Sequence, residues 1–334
     1  MQFGYSEACL DHDTGERHPE TPDRLRAIRQ QLARRHGVEY VSADPASMDA
    51  VTAVHDADYV DDLREFCADG GGNWDTDTVA SEGTWDAALT SAGLAQWVAE
   101  RALAGDGGRD TPFSLGRPPG HHAVESDAMG FCFFNNAGVA AQSVIDDDAA
   151  DRVAIFDWDV HHGNGTQDIF YDRGDVFYAS VHEDGLFPGT GDVEETGADA
   201  GEGTTLNVPL RAGAGDADYL LTYEQAVGPA LDRFDPDLLL VSAGFDAHRH
   251  DPISRMRIST EGYALLTERV RATADTADAG LGFVLEGGYS LETLSESIAT
   301  VHETFDGRTP VEGDGDPTDA TTDLLDDVRS VHEL

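Results

Sequence analysis

Short apolar runs alternate along this chain with longer stretches of helical periodicity, and that alternation admits few folds. Residues 2–5, 39–42, 112–115, 152–157, 176–181, 205–208, 238–242 and 282–285 read as strands. Helices are expected over 22–35, 84–103, 136–146, 217–234, 260–277 and 290–304, the first with Thr21 as N-cap and Pro22 at its first position. The order predicts an α/β fold, an open and mostly parallel sheet with helices on both faces. No linker divides the chain, and no internal repeat is visible. Beyond residue 305 the composition turns acidic, with Pro and Gly, so 306–322 reads as a solvated loop and 323–331 as a short helix. The expected organisation is one domain over 1–305 and an acidic extension over 306–334.

Five of the expected strands run into chemically loaded turns. The run Val153-Ala154-Ile155-Phe156 enters Asp157-Trp158-Asp159-Val160-His161-His162-Gly163-Asn164-Gly165. Leu115 leads to Arg117-Pro118-Pro119-Gly120-His121-His122, and Val181 to His182 and a turn through Phe187-Pro188-Gly189. Ser242 leads to Ala243-Gly244-Phe245-Asp246, and Leu285 to Glu286-Gly287-Gly288-Tyr289. Open α/β sheets bind ligands at the carboxyl ends of their strands. In an extended segment residues two apart share a face, so Asp159 and His161 can converge, with Asp157 starting the same face. With Asp246 they would offer one imidazole and two carboxylates to a divalent cation, leaving positions open for water. Such a set suits zinc, and also iron(II) or manganese. Beside a metal-bound water, His121 and His122 become general base and acid, and Tyr289 a donor to a developing oxyanion. Phe131 and Phe187 are either apolar walls of this site or ordinary core aromatics.

Composition narrows the partners. The 65 acidic and 21 basic residues leave a formal net charge of −44, and every basic residue is Arg. Such a surface repels itself in dilute buffer, and molar salt, with a Debye length of about 3 Å, screens that repulsion. We therefore expect a protein of a high-salt cytoplasm that makes no direct nucleic-acid contacts, for which a basic footprint is needed. Cys9, Cys67 and Cys132 are widely spaced, which fits a reducing compartment. No long apolar run suggests a membrane span, and the N-terminal residues lack the pattern of a signal peptide.

Taken together, the motifs resemble the histone deacetylase superfamily. They are Arg117-Pro118-Pro119-Gly120-His121-His122-Ala123, Gly130-Phe131-Cys132-Phe133-Phe134-Asn135-Asn136, Asp157 to Gln167, Ser242 to Asp246 and Glu286-Gly287-Gly288-Tyr289. His18-Pro19-Glu20-Thr21-Pro22-Asp23-Arg24 and the pair His55 and Tyr59 match its N-terminal landmarks. The likeness is nearest to the class II branch and its acetylpolyamine-amidohydrolase and acetoin-utilisation relatives. It implies an arginase-like fold with an eight-stranded parallel sheet, a zinc ion on Asp159, His161 and Asp246, and proton transfer by His121 and His122. It further implies that Asp157 bonds His121. A structural potassium ion would be held by Asp157, Asp159, His161, Ser180 and Val181. Phe131 and Phe187 would flank a tunnel, with the Gly130 carbonyl facing the substrate amide.

Two positions bear on substrate and mechanism. Class I relatives carry a carboxylate where Asn164 stands, and a neutral amide there leaves His122 uncharged near pH 7 and able to act as base. Relatives specialised for acetylpolyamines can carry a glutamate at the position of Ile253, so an apolar residue speaks against that specificity. Asp75 and Asp77 are candidate rim acids. The expected activity is metal-dependent removal of acetyl groups from acetyl-lysine in proteins or peptides. Hydrolysis of small acetylated amines is the alternative, and a non-catalytic acyl-lysine binder is disfavoured by Tyr289 and the two histidines. A binuclear ureohydrolase would need an Asp-x-His-x-Asp arrangement, which is absent.

Overall fold

In the computed structural model, which describes residues 1–105, 111–311, 313 and 315–334, all eight expected runs join one parallel sheet. The strands in chain order are β1 (Gln2–Gly4), β2 (Glu39–Val41), β3 (Gly71–Asn73), β4 (Val79–Ser81) and β5 (Pro112–Ser114). They continue as β6 (Val153–Asp157), β7 (Val176–Glu183), β8 (Thr205–Leu210), β9 (Leu238–Ala243) and β10 (Gly280–Leu285). The large sheet has the order β2-β1-β5-β10-β9-β6-β7-β8, while β3 and β4 form a separate antiparallel ribbon. The helices are α1 (Asp23–Leu32), α2 (Met48–Thr52), α3 (Ala57–Ala68), α4 (Thr84–Ala104), α5 (Asn136–Asp146) and α6 (Asn164–Phe170). They continue as α7 (Asp216–Thr222), α8 (Gly228–Phe234), α9 (Thr260–Ala277), α10 (Leu291–Phe305) and α11 (Asp319–Val331).

Period-two alternation explains why the strands are apolar throughout. Ala154 and Phe156 of β6, with Leu239 and Val241 of β9, face a core shared with Leu25 and Ile28 of α1 and Leu294 and Ile298 of α10. Val153 and Ile155, with Leu238 and Leu240, face a second core with Val98 of α4 and Ala140 of α5. A parallel sheet covered on both faces buries every residue of its central strands.

Several boundaries differ from expectation. The helix begun by residues 21–22 stops at Leu32, three residues early, and Pro22 stands at its N-cap without a side-chain cap bond. The expected helix over 217–234 is continuous but contains a π-turn at Tyr223–Val227 between α7 and α8. α11 starts at Asp319, inside the expected solvated loop, because Thr318 caps it by accepting from Thr321 N–H. Its Leu325 and Val328 join the first core. Glu312 and Asp314 of that loop lie outside the described residues. The glycine-bearing β3 and the short α2 and α6 carry too little periodic signal to be seen in sequence, whereas α3, with Tyr59, Val60, Leu63 and Cys67 on its buried face, is a further helix beyond those expected.

The five strands with loaded ends, β5, β10, β9, β6 and β7, are consecutive in the sheet. Their carboxyl ends therefore form one continuous edge, and the chemistry lies there.

Candidate active site

β6 and β9 are in register with Asp157 opposite Ser242, so their exits start level. Asp159 and Asp246 are fully buried and fixed by backbone N–H groups, Asp246 at one oxygen and Asp159 at both, His161 N donating to Asp159 Oδ1 at 2.9 Å. Val160 N donates to Asp246 Oδ1 at 3.0 Å, and Gly287 N to Asp159 Oδ2 at 2.8 Å. Asp159 Oδ1 and Asp246 Oδ2 converge on the His161 ring, whose Nδ1 is 3.0 Å from the first and 3.2 Å from the second. Asp246 Oδ2 is buried and makes no hydrogen bond. Metal–donor bonds of about 2.0–2.1 Å in a tetrahedral arrangement separate donors by about 3.3 Å. The three side chains thus fit a divalent cation. Burial pushes the Asp246 carboxyl up, with Asp159 adding to the shift. Burial opposes a charged His161, while the carboxylates of Asp159 and Asp246 raise its pKa to about 10, so a cation bound there would displace the Nδ1 proton.

The two turn histidines lie side by side, ring centroids 4.0 Å apart and planes tilted by 40°. His121 Nδ1 lies 3.0 Å from Asp157 Oδ2, which also accepts from the Tyr178 hydroxyl at 3.2 Å. Burial disfavours the His121 imidazolium, but Asp157 and Asp159 outweigh it and raise the pKa to about 10. His122 Nδ1 faces Asn164 Oδ1 at 2.8 Å, a neutral partner. Burial and the neighbouring His121 and His161 drive its pKa well below that of an ordinary histidine. One imidazole of the pair faces a carboxylate, which favours its charged form, and the other an amide, which does not.

Tyr289 is half-buried, and its surroundings push the phenol pKa well above the usual value, chiefly by desolvation. It stays a hydrogen-bond donor. The Phe131 ring stands 5.9 Å from Tyr289 at 87°, and the Phe187 ring 5.1 Å from His122 at 86°. Phe187 is exposed, as a residue at a mouth should be, and is no core aromatic. Gly130 (φ +55°) packs so closely on His122 and Phe187 that a Cβ would collide with both. Phe131 itself holds a left-handed φ of +70°, a strained conformation of the kind concentrated at functional sites. The Gly130 carbonyl accepts from Cys132 Sγ at 3.3 Å.

Other expected residues are placed as follows. Ser180 lies opposite Asp157 on β7, so the expected monovalent-cation residues Asp157, Asp159, His161, Ser180 and Val181 occupy two adjoining strand ends. The Ser180 hydroxyl meets His182 Nδ1 at 2.9 Å. His162 is bonded to Thr190 and Gln167. Asp75 accepts from the N–H groups of Asp77 and Thr78, ordering the β3–β4 turn near His18 and Phe131. Ile253 is half-buried, and its N–H donates to Asp251 Oδ1 at 3.1 Å.

Three supporting groups escaped the sequence reading. The carboxylate of Glu286 accepts from the N–H groups of Gly120 (2.8 Å) and His121 (3.2 Å) and from Ser242 Oγ (3.2 Å), tying three strand exits together. Asp251 Oδ2 accepts from the N–H groups of Tyr289 at 2.6 Å and Ser290 at 3.0 Å. Arg24 donates to the carbonyls of Gly288 and Glu286, and shares buried Glu20 with Arg117. The signal available was a carboxylate or guanidinium inside or beside a motif, but the partners that fix its role, such as Gly120 for Glu286 and Gly288 for Arg24, lie far along the chain. His121, Cys132 and Glu286 also cluster, but burial pushes the Cys132 thiol far up, which makes it a poor ligand.

The profile of the histone deacetylase domain matches residues 18–305. The chain belongs to the histone deacetylase family. It is 42% identical over 274 residues to the histone deacetylase-like amidohydrolase of Pseudomonas aeruginosa, covering 81% of this chain and 72% of that protein. It is 37% identical to the chloroplastic histone deacetylase 10 of Oryza sativa subsp. japonica, over 96% and 78% of the two chains. A probable deacetylase of Archaeoglobus fulgidus is 39% identical over 86% and 81%. The crystal structure of the HDA15 HD domain superposes with a TM-score of 0.92 at 36% identity, covering 99% of this chain and 95% of that one. This histone deacetylase-family chain is thus a hydrolase of the arginase-like α/β fold. Among its described residues no helix is long and apolar enough to cross a membrane.

Proposed function

We propose that the protein is a zinc-dependent deacylase that removes acetyl groups from acetyl-lysine in proteins or peptides. The observation that carries this reading is the pairing of His121 Nδ1 with the Asp157 carboxylate and of His122 Nδ1 with the Asn164 amide, beside the Asp159, His161 and Asp246 cluster. A divalent cation on those three side chains would polarise the amide carbonyl and lower the pKa of a water toward about 7. Iron(II) or manganese would serve the same donors.

The protein's own groups then divide the work. Asn164 Oδ1 accepts the Nδ1–H of His122, which leaves Nε2 with a lone pair to take the proton of the attacking water. Tyr289 donates its phenolic hydrogen to the oxygen that gains charge. The His121 imidazolium, held by Asp157, supplies a proton to the leaving nitrogen as the C–N bond breaks. Acetate and a free amine result. Phe131 and Phe187 flank the acylated side chain, the Gly130 carbonyl receives its amide N–H, and Ile253 adds an apolar contact. A potassium ion on the Asp157 and Ser180 strand ends would brace the site. We place the enzyme in a reducing, salt-rich cytoplasm, consistent with three free cysteines and the acid excess.

The test compares turnover of an acetyl-lysine peptide with that of N-acetylated polyamines in KCl-rich, zinc-supplemented buffer, alongside Tyr289→Phe. We expect the peptide to be preferred and Tyr289→Phe to lose about 10²–10³ in kcat with metal retained. Preference for the polyamines would move the substrate to small amines. Inactivity on both with metal bound would remove the deacylase reading.

A further inference from the structure

Basic charge is scarce in this chain, yet residues 248–258, which follow Asp246, hold Arg249, Arg255 and Arg257 with a single acid, Asp251. Asp251 is buried and turned inward onto Tyr289 and Ser290. The loop's own outward side chains are therefore basic, with Arg257 sharing a groove with Asp216, Asp218, Glu224 and Asp316 and Arg249 and Arg255 lying apart from those acids. All three arginines are exposed. Among the described residues neither Arg249 nor Arg257 has an ion-pair partner, in a molecule with 65 acids available.

Arg255 is anchored from below. Its Nε and Nη2 meet Glu183 Oε1 at 2.7 and 2.6 Å, and its backbone N–H donates to Oε2 at 2.8 Å. The Glu183 side chain is wholly buried whereas that of Arg255 is 69% exposed, so the outer guanidinium N–H groups remain open to solvent. Glu183 ends β7 and opens the turn to Phe187, with Leu186 N–H returning to its carbonyl. Arg255 therefore stands where the Phe187 turn meets the loop of Ile253. Backbone pairing brings the others alongside: Arg249 N–H donates to Ile258 O, and Arg257 N–H to Ala214 O, one turn past exposed Arg211. Exposed Asp184 borders the patch.

We propose that this arginine patch docks acidic residues flanking the acylated lysine, so that the enzyme selects acyl-lysine in anionic sequence. The proposal rests on the peptide reading above. The net charge of −44 opposes such substrates at long range. At about 1 M salt the screening length falls to about 3 Å, which removes that opposition while direct guanidinium–carboxylate contacts, at hydrogen-bond distance, survive. Preference for acidic peptides therefore grows with salt, the reverse of ordinary electrostatic steering.

Two acetyl-lysine peptides that differ only in glutamate or glutamine flanks test this, in low and in molar KCl. At molar KCl we expect the glutamate peptide to lead by about fivefold in kcat/KM, the ceiling for one well-formed exposed ion pair. That ratio should fall toward one in Arg249→Gln/Arg257→Gln, which leaves no buried charge unpaired. Arg255→Gln strands buried Glu183, so it is interpreted only where circular dichroism matches the parent. A parent ratio at or below one in molar KCl, or a ratio unmoved in the double variant, overturns the docking surface. Fluorescence anisotropy of the same peptides reads the preference without turnover. If neither peptide is hydrolysed while the glutamate peptide binds better, the patch stands and the peptide-deacylase reading falls. If neither is hydrolysed and both bind alike, both fall.

Discussion

At the scale of single residues, the site depends on what each imidazole meets at Nδ1. His121 meets a buried carboxylate and His122 an amide, and in the mechanism we propose that one difference in charge separates the proton donor from the proton acceptor. Asn164→Asp should therefore stabilise the His122 imidazolium and move the acid limb of the kcat/KM profile to higher pH. A pH profile that keeps its acid limb in place would show that His122 is not the titrating base. Asp246 is the residue with most at stake for metal, since its Oδ2 is buried without a hydrogen bond. We expect Asp246→Ala to lower bound metal from one per chain to near zero and to abolish activity. Metal analysis that still finds one per chain would exclude Asp246 as a ligand.

At the scale of elements, the exits of five adjacent strands must be held in mutual register for the donors to meet. Buried carboxylates do this by gathering backbone N–H groups from different loops. Glu286 ties the β10 exit to the turn of His121, and Asp251 ties the β9–α9 loop to the turn of Tyr289. The Asp251 carboxyl is raised to about 6, by burial and then by Asp246, with the N–H bonds opposing. Asp251→Asn presents an NH₂ group where an acceptor is required. Its effect should be a fall in kcat of about 10²-fold, typical of a reacting group displaced by about 1 Å, with metal content unchanged. Wild-type kcat in this variant would reduce Asp251 to a structural bond. Loss of metal instead would mean that its influence reaches the ligand set.

At the scale of the whole molecule, the −44 charge sets the conditions under which the fold persists. Raising KCl from dilute to molar should raise the melting temperature as self-repulsion is screened. A melting temperature independent of KCl would refute salt adaptation. The sheet, its parallel sense and the chemical edge were legible in sequence because period-two burial and glycine-rich strand exits are local signals. Asp159, His161, Asp246, His121, His122 and Tyr289 were legible because they sit at those exits. Helix ends at Leu32 and Asp319, the β3–β4 ribbon and the π-turn at Tyr223–Val227 were not, because tertiary packing sets them against weak local preference. The same holds for the roles of Glu286, Asp251 and the pair Arg24 and Glu20, which depend on partners far away along the chain. Sequence by itself determined which candidate site residues stand at the strand exits, since their type and spacing are covalent facts. Only the tertiary structure decided which partner each histidine meets at Nδ1, which carboxylate oxygen is left without a hydrogen bond and where the loop arginines gather. Those properties arise from desolvation and from distances between residues remote in the chain.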